Sequence, residues 1–307
     1  MTAAARAPLG TLLTAMLTPF DESGEVDVHA AARLARFLVD EGNDGLVVSG
    51  TTGESPALSD DEKLALFAAV VEAVGDRASV IAGTGGNNTR HSVELTERAA
   101  ELGVDGILAV VPYYNKPTQD GMLDHFGAIA KSTSLPVVVY NIPSRPGANM
   151  LPATLLELAR RHANIGGVKE SSGDFAQFSE ILRSRPPGFG FWSGDDHLFL
   201  PSLALGGDGL ISVAAHLCAR EFRELAAAFR RGDAARAAQL HLDLSPLIAA
   251  LFATTSPIPV KWALGELGFA LGPCRSPLGR MPADVAARLR PLLEPFRERI
   301  DARAVAT

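Results

Sequence analysis

Lys169 closes a short apolar run, Ile165-Gly-Gly-Val-Lys169, and a polar turn follows at once as Glu170-Ser-Ser-Gly-Asp174. An ammonium at the mouth of a buried strand is costly, because desolvation disfavours its charged form. The same cost turns an amine into a nucleophile near neutral pH. A second reading is a lysine that snorkels to solvent or pairs with Glu170. Lysine is scarce here, at positions 63, 116, 131, 169 and 261. Lys63 and Lys131 fall on predicted helices, Lys116 in a loop before Pro117, and Lys261 opens a C-terminal helical segment. Lys169 alone closes a strand, which favours the nucleophile.

Other chemistry-bearing residues follow other apolar runs. Gly50-Thr51-Thr52-Gly53-Glu54 is an ordinary tight turn or a nest of N–H and hydroxyl donors aimed at a carboxylate. Tyr113 and Tyr114, as neighbours, point in different directions, so at most one serves a given site. Tyr140 ends a strand, where a tyrosine is more often a core residue with its hydroxyl at the edge. Arg145, between Ser144 and Pro146, is a surface charge or a bidentate carboxylate clamp. Asp195-Asp196 after Gly194 reads as N-terminal caps of the next helix. No metal site is expected: the seven histidines form no H-x-x-x-H or H-E-x-x-H pair, and the acids have no partner ligands at suitable spacing. Gly83-Thr-Gly-Gly lacks the Gly-Lys-Ser/Thr of a P-loop, which argues against nucleotide phosphate.

The positioning elements recur with regularity. Apolar runs at 12–17, 45–49, 79–82, 106–111, 135–140, 165–169, 189–192 and 209–213 alternate with helical patterns, about 25 to 30 residues apart. Asp27 is a predicted N-cap for a helix with Val28, Ala31, Leu34, Ala35 and Leu38 on one face. Ser59-Asp-Asp-Glu62 is a capping box. Strands that are apolar without alternation suit a parallel sheet covered on both faces. Eight such units between residues 11 and 231 predict an α/β fold, a (β/α)8 TIM barrel, over 1–231. Its strand C-termini share one rim, where Thr51-Thr52-Gly53-Glu54, Tyr113-Tyr114, Tyr140, Arg145, Lys169 and Gly194-Asp195-Asp196 would meet. An open doubly wound sheet is the rival, but Thr18-Pro-Phe is no dinucleotide turn. After Arg231 helices at 233–254, 258–268 and 282–303 follow without strands, a C-terminal helical domain over 232–307. Leu244, Leu247, Ile248, Leu251 and Phe252 have helical spacing.

Composition narrows the function classes. The chain has 307 residues, 47% hydrophobic and 21% charged, which allows a sizeable core and excludes wholesale disorder. Net charge is −7 with no basic run, so no nucleic-acid partner is expected. No apolar run approaches a membrane span. Met1–Gly10 lacks the apolar core of a signal peptide. The two cysteines, Cys218 and Cys274, form no disulfide framework, and a soluble cytosolic protein handling small molecules is expected.

The set Gly50-Thr-Thr-Gly-Glu54, Pro112-Tyr-Tyr-Asn-Lys-Pro117, Tyr140-Asn-Ile-Pro-Ser-Arg145, Gly167-Val-Lys-Glu170 and Ser193-Gly-Asp-Asp196 resembles the dihydrodipicolinate synthase / N-acetylneuraminate lyase family. The likeness runs from Thr18-Pro-Phe through Ile258-Pro-Val-Lys-Trp-Ala263, nearly the whole chain. It implies a class I, Schiff-base aldolase or lyase acting on pyruvate, without metal or organic cofactor, usually as a homotetramer built as a dimer of dimers. Lys169 matches the family's imine-forming lysine and Tyr140 the tyrosine that moves protons at the imine carbon. Thr51 and Thr52 match the pair holding the pyruvate carboxylate and the hydroxyl relay. Tyr114 matches a second relay tyrosine that reaches into the neighbouring subunit's site. Gly194 and Ile211 match substrate-binding positions.

Arg145 favours the synthase branch, in which an arginine after Pro-Ser binds the carboxylate of aspartate semialdehyde. The resemblance thus implies condensation of pyruvate with L-aspartate 4-semialdehyde to 4-hydroxy-tetrahydrodipicolinate, in diaminopimelate and lysine biosynthesis. A pyruvate lyase acting on a sugar acid is the alternative, and a non-catalytic binding barrel is one of another class. Pro146 stands where synthases commonly carry Thr, and Ser171 where they often carry Ala. Lysine-inhibited versions carry an acid where this chain has His91 and commonly a His where it has Lys63, although Ser55, Asn87 and Tyr113 match. Weak or absent lysine inhibition is expected.

Overall fold

A computed structural model describes residues 9–304. The leader question at Met1–Gly10 therefore lies outside the described residues except for Leu9 and Gly10. Eight parallel strands close into a barrel in sequence order, the eighth pairing with the first. They are β1 (Leu12–Ala15), β2 (Gly45–Val48), β3 (Ser79–Gly83), β4 (Gly106–Val110), β5 (Val137–Asn141), β6 (Ile165–Glu170), β7 (Gly190–Ser193) and β8 (Gly209–Ser212). A helix follows each: α1 (Val28–Asp40), α2 (Asp60–Val74), α3 (Thr89–Ala100), α4 (Gln119–Lys131), α5 (Pro152–Arg161), α6 (Phe175–Ser184), α7 (Phe199–Ala204) and α8 (Ala215–Arg230). Then come α9 (Ala234–Leu251), α10 (Ile258–Glu266), α11 (Ala283–Leu289) and α12 (Glu294–Ala304). This is the expected (β/α)8 barrel with a helical ending.

The unbroken apolar runs are explained by burial on both faces. One face of the strands fills the barrel interior with Leu13, Ala15, Val47, Ile81, Leu108, Val138, Trp192 and Ile211. The alternate residues, among them Leu12, Leu46, Val80, Ile107 and Val168, pack beneath the helices. Side chains of this size contribute about 1.5–3 kcal/mol each when fully buried. The local signals act as expected: the Asp27 carboxylate accepts from Ala30 N at 2.8 Å, and Ser59 with Glu62 forms a reciprocal capping box.

The departures have local causes. β5 starts at Val137 and not Leu135, because Pro136 has no N–H for the ladder. β1 stops at Ala15, and Met16–Thr18 turns away into the rim. The helix expected over 282–303 breaks into α11, a 3-10 turn at Arg290–Leu293 and α12, where Pro291 and Pro295 interrupt the ladder. Leu244, Leu247, Ile248 and Leu251 join the same apolar core as the barrel helices. Phe252 does not: it is 41% exposed. Phe20 N donates to Leu271 O at 2.9 Å, a further tie between the first rim loop and the C-terminal segment.

Candidate active site

The strand register brings the expected lysine and tyrosine together. Lys169 pairs across the ladder with Tyr140 on β5 and with Trp192 on β7. Both neighbours belong to the barrel interior, so Lys169 points inward as well. Its Nζ stands 4.1 Å from the centroid of the Tyr140 ring. Glu170, one residue on, faces the opposite side. Its carboxylate accepts from Asn141 Nδ2 at 3.1 Å, Ser172 N at 2.8 Å and Gln177 Nε2 at 3.2 Å, so pairing between Lys169 and Glu170 is not how the charge is handled.

Burial lowers the Lys169 ammonium from 10.5 to about 8; the Asp196 charge opposes this and the Arg145 charge adds to it. At pH 7 such an amine is about 10% neutral, against about 0.03% for an ordinary lysine. Burial pushes the Tyr140 phenol up to about 12, with Arg145 and the Ser171 hydroxyl pulling the other way.

Thr51, Thr52, Tyr140, Arg145, Lys169 and Gly194 line one cavity of about 290 Å³. A second space of about 250 Å³ adjoins it, sharing Thr51, Tyr140 and Arg145, and Tyr113 lines that wall. Arg145 is exposed at the mouth. Ile211 sits in the interior layer, while Val213, two residues along on the same face, lines the cavity. Tyr114 is not brought to this cavity: it is 90% exposed, with φ 72°.

The turn after β2 is held from both sides. Ser49 and Glu54, flanking Gly50–Gly53, both take φ 57°, a conformation that side chains adopt only when the surroundings enforce it. Thr18 Oγ1 donates to Gly53 O at 2.7 Å. A Cβ on Gly53 would stand 3.0 Å from Met16 O, so the close approach of β1 and this turn favours glycine. His216 Nε2 in turn accepts from Leu17 N at 3.1 Å.

The expectation for Asp195-Asp196 is half corrected. The Asp195 side chain does cap, accepting from His197 N at 3.0 Å. Asp196 is instead 1% exposed and accepts from the Ser212 hydroxyl and from Val213 N and Ala214 N at 3.2 Å. It braces the exit of β8. Burial lifts its carboxyl to about 6.

Sequence reasoning did not find the groups that come from afar. Phe252 and Ser256, beyond α9, line the cavity, and nothing local marks them. Lys261, read as merely opening a helix, is buried and bonds Glu54 Oε1 at 2.8 Å, with Arg275 N donating to Glu54 Oε2 at 2.8 Å. This buttresses the Thr51–Thr52 turn from the C-terminal side. Among the described residues, no three His, Cys, Asp or Glu side chains converge to hold a metal ion. No described helix is long and apolar enough to cross a membrane.

Comparison with known proteins agrees with this geometry. The profile of the dihydrodipicolinate synthetase family matches residues 8–295. The 4-hydroxy-tetrahydrodipicolinate synthase of Moorella thermoacetica is 55% identical over 269 residues, 88% of this chain and 92% of that protein. The crystal structure of a dihydrodipicolinate synthase from Bacillus anthracis superposes with a TM-score of 0.91 at 43% identity, covering 93% of this chain and 98% of that one. That of the enzyme from Cyanidioschyzon merolae with lysine bound gives 0.93 at 43% identity, covering 94% and 98%. A buried lysine on the sixth barrel strand, the residues around it and a match over nearly the whole length lead to one conclusion: the chain belongs to the dihydrodipicolinate synthetase family.

Proposed function

We propose that the chain condenses pyruvate with L-aspartate 4-semialdehyde to give 4-hydroxy-tetrahydrodipicolinate, through an imine on Lys169. The observation that carries this reading is the buried Lys169 amine, lowered to about 8, in one cavity with Thr51, Thr52, Tyr140 and Arg145. The neutral amine attacks the ketone carbon of pyruvate, and the carbinolamine loses water to give a cationic imine. Tyr140 passes the proton that leaves with that water, and Thr52 relays it. Thr51 and Thr52 hold the pyruvate carboxylate, with Gly194 and Ile211 shaping the floor. Loss of a proton from the methyl carbon gives an enamine, the imine being the electron sink. The enamine carbon attacks the aldehyde, whose substrate is oriented by its carboxylate on Arg145 at the mouth. The substrate amine then displaces Lys169 and closes the ring.

The reading extends to the assembly. Tyr114, fully outside its own cavity, would complete the proton relay of a neighbouring subunit in a homotetramer, a dimer of dimers in the cytoplasm. The helices beyond Arg231 would act as a domain that closes the site with Phe252 and Ser256. Borohydride with pyruvate should label Lys169 covalently; a Lys169→Ala protein that still forms the adduct would refute the assignment. A panel of acceptors tests the second substrate. Turnover with aspartate semialdehyde is expected, and turnover only with a sugar acid would overturn it.

A further inference from the structure

Ser171 plays no part in the chemistry described so far, yet it lines the same cavity as Lys169 and Tyr140. It lies two residues beyond Lys169 on the same side of the chain, while Glu170 between them faces the helices. Ser171 N donates to Asn141 O at 2.8 Å, which fixes it beside the exit of β5, next to Tyr140. Its Oγ is closed off from solvent, and no described residue meets it at full hydrogen-bond geometry. A Cβ added to Gly194 would stand 2.0 Å from Ser171 Oγ and 2.8 Å from Lys169 Cε. Serine hydroxyl and lysine terminus therefore crowd one point on the cavity wall. A buried hydroxyl left without a partner is costly. Ser171 also acts on the Tyr140 phenol, lowering its pKa against the effect of burial. Such a contact is often long in an empty site and tightens when substrate binds.

We propose that Ser171 is a positioning residue for Tyr140: its O–H donates to the phenol oxygen and holds that ring where it passes a proton to the carbinolamine on Lys169. A hydroxyl donating to this oxygen favours the phenolate that proton transfer leaves behind. It thus assists the loss of water from the carbinolamine, the leaving hydroxyl taking the Tyr140 proton and the nitrogen lone pair forming the imine bond. The inference rests on the reading of Lys169 as the imine-forming amine.

The test is a double-mutant cycle on the rate of borohydride-trappable imine formation with pyruvate, read by intact mass. Labelling of the unaltered protein comes first; its failure would overturn the Lys169 reading itself, before any Ser171 variant is made. Ser171→Ala should slow trapping about tenfold. Ser171→Thr, which keeps the hydroxyl, should restore most of the rate. In a Tyr140→Phe background, Ser171→Ala should have less than about a twofold further effect, since its partner is gone. Equal slowing in both backgrounds would mean a merely structural role and overturn the proposal. So would a Ser171→Ala rate indistinguishable from that of the unaltered protein.

Discussion

Replacing Lys169 by Met should end imine formation and stabilise the fold at neutral pH. The ammonium is lowered from 10.5 to about 8 because burial penalises its charge. In the unfolded chain the same group keeps its ordinary value. Between those two pH values the unfolded chain binds the proton more readily, so folding stability rises with pH. Below about pH 8 the folded protein carries the full penalty, and above the unfolded value the penalty is gone. At about 1.4 kcal/mol per pKa unit, the gap corresponds to about 3 kcal/mol. Methionine keeps much of the lysine stem and carries no charge to desolvate. Urea unfolding of the two proteins, at equal protomer concentration, measures the difference. The Met variant should be more stable by about 3 kcal/mol near pH 7, and its advantage should shrink steadily toward pH 10. Equal stability at pH 7, or an advantage that does not change with pH, would refute the argument that the site stores a desolvated amine.

Three further outcomes are expected. Gly194→Ala should leave a folded protein with imine formation reduced about 100-fold in the trapping assay, because the new methyl displaces both Ser171 Oγ and Lys169 Cε. Lys261→Met should destabilise the fold by about 3–5 kcal/mol in urea unfolding, because it leaves the buried Glu54 without its cation, and adding Glu54→Gln should recover part of that loss. Lysine should inhibit weakly or not at all. The cavity of about 230 Å³ beside Tyr113 is lined by Lys63 and by His91, whose Nε2 stands 2.7 Å from Asp60, so a lysine entering it would meet the like charge of the Lys63 ammonium. Inhibition of the condensation by sub-millimolar lysine would contradict this.

Much of the fold was legible because its signals are local. Asp27, the Ser59–Glu62 box and the unbroken apolar runs each act within a few residues of themselves, so the eight strands and their helices can be read in order. Once the strands form a barrel, the rim follows from topology, and with it the meeting of Thr51, Thr52, Tyr140, Lys169 and Gly194. Proline acts against the apolar pattern: Pro136 delays β5, and Pro291 and Pro295 divide the last helix.

The sequence by itself determined the barrel, the order of its rim residues and the lysine most exposed to desolvation. Only the tertiary structure decided which charges are buried and against what. Asp196 looks like a second cap beside Asp195 until β8 closes against β7 and offers it two amides and a hydroxyl. Lys261 looks like a helix opener until the C-terminal segment folds back over the barrel and sets it on Glu54, 207 residues away in sequence. Ser171 looks like a turn residue until its N–H bonds Asn141 O, which sets it beside the exit of β5 with its hydroxyl closed off from solvent. Periodicity is a property of neighbouring residues, whereas desolvation depends on every segment that packs over a group, and those segments are assembled only by the fold.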